Sequence, residues 1–174
     1  IGNLYSDNPE AQKAIFNFSS YLQGNMYSLS ETEPIPFTTE LEHTRAYLEL
    51  EQLRFGEKLN VSYDLTATEF LLPTLTLQPL VENAVRHGIR GKKSGEGTVS
   101  ISTHQFADRY EITVIDDGPG FDPDTLPQDG ESHIGLQNVR ERLKHAGASL
   151  RLDSRPGSGT EATIVIPKLE RQEE

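Results

Sequence analysis

The sequence predicts an α/β (α+β) two-layer sandwich, with a mixed, largely antiparallel sheet of about five strands covered by helices on one face and preceded by N-terminal helices. Three observations carry this. Segments alternating at period two fall in two pairs in the second half of the chain. An amphipathic helix precedes the first pair and another helix separates the pairs. The chain before Gly56 is dominated by helical patterns.

Taken in order, Asp7-Asn-Pro-Glu10 reads as a helix start, with Asn8 as cap, Pro9 at the first helical position and an acid in the first turn. Ala11, Ile15, Phe18, Leu22 and Met26 continue it as an apolar stripe to about Tyr27, suited to packing on another helix or on a domain core. Ser28 to Thr39, with Pro34 and Pro36, reads as a linker, which divides residues 1–33 from a domain at 34–174. A second helix is expected from about Thr38 to Phe55, capped by Thr38 or Thr39, with Leu41, Tyr47, Leu48 and Phe55 turned inward. Glu40, Glu42, Glu49 and Glu51 read as its solvated face, with His43 a surface histidine among them.

Gly56 ends that helix, and Leu59 to Leu65 alternates as a strand. Pro73 opens the next helix, whose interior Pro79 predicts a kink or a restart. Arg90 to Gly97 is a basic, glycine-containing connection. Thr98 to Gln105 and Tyr110 to Ile115 then form a hairpin across the short Phe106-Ala-Asp-Arg link. A helix from Ile134 to Ala146 leads to a second strand pair, Ser149 to Ser154 and Glu161 to Pro167, around Pro156-Gly-Ser-Gly159.

A chain of 174 residues, 34% hydrophobic and 25% charged, has the size and polarity of an ordinary folded domain carrying a helical extension. Lys and Arg total 16 against 27 Asp and Glu, a formal net charge of −11, which argues against a nucleic-acid partner. A polyanionic ligand would be opposed by that field, so a cation such as Mg²⁺ and a few local donors would have to supply the attraction. The absence of cysteine excludes disulfides, thiolate metal sites and cysteine nucleophiles. No stretch approaches the roughly 18 apolar residues of a membrane span.

The chemistry concentrates in a few places. Leu77, Leu80, Val81, Ala84 and Val85 recur at helical spacing, and Asn83, Arg86 and His87 share another face of the same helix. That face reads either as a surface for a metal-bound polyphosphate or as a solvated polar face. Strand parity puts Asp116 on the side of Tyr110, Ile112 and Val114, where a carboxylate is costly without a hydrogen-bond donor. Asp116 reads as the acceptor for a ligand amine such as that of adenine, or as a cap of the Asp-Asp-Gly-Pro-Gly turn. Gly118 to His133 lacks periodicity and reads as a lid, and Gly135, opening the next helix, as a place for a phosphate to approach or as an ordinary helix start. In isolation, Pro156-Gly-Ser-Gly-Thr160 reads as a hairpin turn. No nucleophilic triad or metal cage is evident, and the five histidines are scattered.

In this order the boxes resemble a known family. The asparagine helix, Asp116-x-Gly118-x-Gly120, a lid ending Ile134-Gly-Leu136, and Gly157-Ser-Gly-Thr160 look like the ATP-binding fold shared by gyrase, an ATP-dependent heat-shock chaperone, sensor histidine kinases and MutL, over about Leu71 to Pro167. Glu40-Leu-Glu42 through Arg45-Ala-Tyr-Leu-Glu-Leu-Glu-Gln-Leu-Arg-Phe55, with Leu77-Gln-Pro-Leu-Val-Glu-Asn-Ala84 after it, is similar to sensor kinases of the autolysin-sensor (LytS-like) type. The resemblance implies that Asn83 ligates Mg²⁺ beside Glu82, that Arg86 and His87 lie near the phosphates of ATP, and that Asp116 holds the adenine amine in a pocket shaped by Gly118 and Gly120. It further implies that Gly135 and Leu136 close the lid region, that Asn138 assists there, and that Thr160 supports Asp116 through a water. The implied protein is a cytoplasmic domain of an integral membrane sensor, homodimeric in the full-length parent, whose partners are ATP, a phosphoacceptor helix of the same or partner subunit, and a response regulator. Residues 1–33 would be the second helix of the dimerisation hairpin.

Two departures bear on mechanism. ATP-hydrolysing relatives carry a glutamate base one turn before the metal-binding asparagine, and that position is Pro79, which favours transfer over hydrolysis. The family's phosphoacceptor segment, a His before Phe-Leu-Phe-Asn, is missing, and Ile1-Gly-Asn-Leu resembles the residues directly C-terminal to that segment in the family. The expectation is a histidine kinase catalytic domain that binds ATP but lacks its own acceptor, with His43 a less simple acceptor candidate. Alternatives are a nucleotide-gated interaction module without phosphoryl transfer and a serine-directed kinase of the anti-sigma type.

Overall fold

Alternation along the strands and continuous rows across them build a five-stranded sheet. The computed structural model describes residues 12, 14, 15, 17–19, 22, 33–88, 92, 94–122 and 131–168, with side chains in the last helix from residue 135 onward. Strands β1 (Ile35–Pro36) and β3 (Leu71–Leu72) pair as a short antiparallel ribbon. Strands β2 (Leu59–Leu65), β4 (Gly97–Gln105), β5 (Arg109–Asp116), β6 (Ser149–Ser154) and β7 (Thr160–Pro167) form a sheet in the order β2-β4-β5-β7-β6. The β2–β4 pair is parallel and the rest are antiparallel, so the mixed, largely antiparallel expectation holds.

Register places Val99, Ile101 and Thr103 beside Asp116, Val114 and Ile112, and these beside Thr160, Ala162 and Ile164. Because side chains alternate across a strand, all of these share one face. That face is buried under α2 (Leu77–Gly88) and α3 (Glu131–His145), with α1 (Phe37–Phe55) flanking α2 and β2. The core joins Leu41 and Leu48 of α1, Leu77, Leu80, Val81, Ala84 and Val85 of α2, and Val139 and Leu143 of α3 to the strand residues. The opposite face is polar, with Ser62 and Ser100 hydroxyls 2.8 Å apart and Glu111 receiving both Arg109 and Arg151.

Several element boundaries differ from the sequence expectation. Ile35 and Pro36 are not linker but strand, because Leu71 and Leu72 offer them a partner. Helix α1 begins at Phe37 behind Pro36, without a side-chain cap from Thr38 or Thr39; instead the Phe37 N–H donates to Phe70 O at 2.9 Å. Helix α2 begins at Leu77 rather than Pro73, so Pro79 stands in the first turn, where a missing N–H breaks no intrahelical bond. Neither kink nor restart is required. Helix α3 begins at Glu131, three residues before the expected start.

Glu40 is not part of a solvated face: only 1% exposed, it is turned under α2, whereas Glu42 is exposed and Glu49, Glu51 and His43 are partly buried. The Asn8 cap, Pro9, Ala11, Met26 and most of the expected lid lie outside the described residues. Of the N-terminal stripe, Ile15, Phe18 and Leu22 are helical and exposed, while Asn17 is buried and donates to Glu49 Oε2 at 2.8 Å.

Candidate functional site

At one end of the buried sheet face the apolar rows give way to a polar one. Ser154 of β6 pairs with Thr160 of β7, and Thr160 with Asp116 of β5. The preceding row is Leu152, Ala162 and Val114. Apart from Ser154, which lies behind it, these residues form the floor of a cavity of about 240 Å³. Its roof is α2, through Leu80, Asn83, Ala84 and His87; Pro119, Gly120 and Phe121 form one side, and Leu136 of α3 contributes from another. Residues 80, 84 and 87, with 83, fall on one ridge because helical neighbours recur every three and four positions.

Asp116 is 5% exposed. Its Oδ1 accepts the Gly118 N–H at 2.9 Å, and Thr160, its register partner on β7, sets a hydroxyl donor beside it. Burial pushes its carboxyl pKa above the usual value; the Gly118 and Thr160 donors oppose this, and Asp117 adds repulsion that Lys92 offsets. A buried carboxylate with so few protein donors retains capacity for a ligand donor. Asp117 is occupied otherwise, bonded to the Thr98 N–H at 2.8 Å and to Lys92 Nζ at 2.8 Å.

Two glycines make this corner possible. A Cβ at Gly118 would meet Asp116 Oδ1 at 2.6 Å and Gly88 Cα at 2.7 Å, so the turn folds against the end of α2 only without a side chain. Gly120 has φ +61°, and a Cβ there would reach Arg155 O at 2.0 Å. The Ser154 hydroxyl, buried, then ties three pieces together: it accepts the Phe121 N–H at 3.0 Å, donates to Gly159 O at 2.9 Å and lies 3.1 Å from Thr160 Oγ1.

On the roof, Asn83 is half-buried and His87 more exposed. Desolvation, and then the neighbouring Arg86 charge, hold the His87 pKa below the ordinary imidazole value. Glu82 is turned aside, accepting Gln78 Nε2 at 2.8 Å.

The structure thus brings Asn83, His87, Asp116, Gly120, Leu136 and Thr160 to one cavity, with Gly118 directly behind Asp116. Glu82, Arg86 and Asn138 are not among its lining residues, and Asn138 is exposed. Gly135 does not open α3. With the helix starting at Glu131, Gly135 is its fifth residue, past the first turn where N–H groups are free. Nothing lies within 4 Å of a Cβ built on Gly135.

Sequence reasoning missed the apolar lining residues Leu152, Ala162 and Phe121 as site residues, and missed Ser154 altogether. Parity along β6 and β7 carries a signal for the first two, but Ser154 emerges only once the strand register is known.

The walls suit a flat, mostly apolar ring bearing an amino group that can donate to Asp116, with polar ligand atoms toward the Asn83 and His87 end. Among the described residues no group of three or more His, Cys, Asp or Glu could hold a metal ion. Asn83 offers one amide oxygen to the cavity.

Residues 71–170 match the model of the histidine kinase-, DNA gyrase B- and HSP90-like ATPases, and residues 1–59 match a histidine kinase model. The chain is 40% identical over 168 residues to the sensor histidine kinase YpdA of Escherichia coli, covering 92% of this chain and 29% of that protein. It is 31% identical to the sensor protein LytS of Oceanobacillus iheyensis, covering 80% of this chain and 26% of that one. A Bacillus subtilis protein, YwpD, is 35% identical and 62% covered, so the chain spans only part of the relatives it matches. Among solved structures, the catalytic domain of histidine kinase ThkA superposes with a TM-score of 0.62 at 15% identity, over 79% of this chain and 96% of that one. The Acinetobacter baumannii histidine kinase AdeS gives 0.62 at 20% identity, over 88% and 76%.

Proposed function

The chain belongs to the histidine kinase-, DNA gyrase B- and HSP90-like ATPase family, as the ATP-binding catalytic domain of a sensor histidine kinase, and we propose that it binds Mg-ATP in the cavity under α2 and presents the γ-phosphoryl group to a histidine on a longer parent chain. The observation that carries this reading is Asp116, a buried carboxylate at the floor of an otherwise apolar slot, with a hydroxyl and one backbone N–H as its close partners.

In this reading Asp116 accepts the adenine amine, Val114, Ala162, Leu152 and Leu80 hold the ring, and the phosphates run toward Asn83 and His87. Asn83 would be the protein ligand of Mg²⁺, with Arg86 supplying positive charge nearby and residues 131–136 approaching from the lid side. Mg-ATP, when bound, supplies the phosphoryl group and a cation that offsets its negative oxygens. The protein's task is then orientation and charge placement rather than covalent chemistry.

Transfer is favoured over hydrolysis by the absence of a poised base. Pro79 stands where hydrolysing relatives carry glutamate, Glu82 is bonded to Gln78, and Asp116 is the only carboxylate among the described residues lining the cavity. The parent is proposed to act as a homodimer whose phosphoacceptor helix lies in the same or the partner subunit, to pass the phosphoryl group to a response regulator, and to be an integral membrane sensor with this domain in the cytoplasm. No helix among the described residues is long and apolar enough to cross a membrane.

Incubation with γ-labelled ATP, Mg²⁺ and a helix bearing the acceptor histidine should give an acid-labile product. Failure of the chain to bind ATP would refute the proposal. A nucleotide-gated module would instead bind ATP yet leave the full-length parent's kinase output unchanged when Asn83 is replaced by Ala.

A further inference from the structure

Glu40 lies outside residues 71–170, the ATPase-family segment, and does not line the cavity, yet it is the most completely buried carboxylate among the described residues, at 1% exposed. Its Oε2 accepts the Leu75 N–H at 3.2 Å. Its Oε1 accepts the N–H groups of Thr76 at 3.0 Å, Leu77 at 3.2 Å and Gln78 at 3.5 Å. These donors precede or open α2 and have no intrahelical acceptor, and the next residue, Pro79, has no N–H to offer. One side chain from α1 therefore collects the free donors at the start of the helix that carries Asn83.

The corner it holds is strained. Leu75 has φ +54°, the only positive φ outside glycine among the described residues, a conformation that a leucine side chain disfavours. Its N–H is one of those bound by Glu40. From the other side, Arg142 of α3 donates to Thr74 O at 3.1 Å. Glu40 itself sits on a fixed platform: Thr44 Oγ1 donates to its carbonyl at 2.8 Å, and Phe37, one turn earlier, stacks on Phe70, which stacks on Tyr110 of β5.

We propose that Glu40 is a positioning residue for the nucleotide site, holding the first turn of α2 so that Leu80 and Asn83 keep their places in the cavity roof. The consequence is that the metal end of the site is anchored from α1, whereas Asp116 is held by its own strand and by the Gly118 turn. Disturbing α1 therefore weakens the Mg²⁺-dependent part of nucleotide binding more than the part made by the base, whose amine Asp116 still holds.

The inference rests on the Mg-ATP reading above. The test measures the dissociation constant of the 174-residue chain for ATP with Mg²⁺ and with EDTA, and for adenosine, by calorimetry, together with amide exchange across residues 75–83. Glu40→Ala should reduce the advantage that Mg²⁺ confers by on the order of tenfold, with a smaller loss of adenosine affinity through Leu80 and faster exchange at residues 75–78. Glu40→Gln, which keeps one acceptor oxygen but opposes an NH₂ group to a backbone donor, should give a smaller loss of the same kind; being nearly isosteric, it serves as the decisive variant should Glu40→Ala fail to fold. An unchanged Mg²⁺ advantage would overturn the inference, as would equal losses for adenosine and Mg-ATP, which would mark Glu40 as merely structural. A wild-type chain that binds no nucleotide would overturn the Mg-ATP reading and this inference together.

Discussion

Replacing Asp116 by Asn exchanges one carboxylate oxygen for an NH₂ group in a place where the protein has already claimed the other oxygen. Gly118 donates to Oδ1 at 2.9 Å, and the turn it stabilises closes against Gly88, so the remaining amide oxygen stays on that bond. The NH₂ group is then turned toward the position of the adenine amine, donor against donor. A hydrogen bond to a charged group contributes about 1.5–3 kcal/mol, and the opposed donors add to its loss, giving about 2–4 kcal/mol, or roughly 30- to 1000-fold in Kd. The same change should narrow the preference for ATP over GTP, because guanine presents an acceptor where adenine presents the amine.

Calorimetric titration of both nucleotides into wild type and D116N measures each quantity, and a thermal melt separates affinity from folding. Burial raises the Asp116 pKa, so the folded chain holds that proton more tightly than the unfolded chain. Its stabilisation is full below the ordinary carboxyl value of 3.8 and is lost as pH rises through the higher folded value. D116N lacks this contribution, and its Tm should fall less than that of wild type as pH is raised above about 4. An ATP affinity for D116N within about threefold of wild type, in a chain that remains folded, would refute the assignment of Asp116 to the base.

Two further predictions concern the roof and the lid side. His87 has its pKa lowered by desolvation and by Arg86, so it is neutral at pH 7 in the free chain; phosphates beside it would raise that pKa, and ATP binding should take up a fraction of a proton near pH 6.5 and tighten as pH falls toward 6. Binding enthalpies compared in buffers of different ionisation enthalpy read this directly, and the buffer dependence should vanish in His87→Gln. Ser154→Ala leaves the Phe121 N–H without its acceptor and Gly159 O without its donor, which should cost about 1–3 kcal/mol in urea unfolding and weaken ATP binding through the loosened Phe121 side. A change below about 0.3 kcal/mol would contradict that hydrogen-bond assignment.

The local patterns were sufficient for features that repeat at short range. Alternation along β5 put Asp116 on the buried face because Val114 and Ile112 sit two and four residues before it, and helical spacing put Asn83 and His87 on one ridge of α2. The same patterns misplaced Pro79 and Gly135, since each depends on where a helix begins, and a helix boundary depends on the donors and acceptors that meet its ends. Glu40 is the clearest case: spacing within α1 groups it with other acids, and only the approach of residues 75–78 makes its burial favourable.

The sequence by itself therefore determined the class of fold, the order of the elements, the buried acid and the polar ridge, all set by periodicities of two and of 3.6 residues. Only the tertiary structure decided which of those residues share a cavity, that Ser154 locks the Phe121 side to β7, and that the helix carrying Asn83 is capped from α1. Those facts rest on strand register and on hydrogen bonds between residues distant along the chain, and no local pattern encodes them.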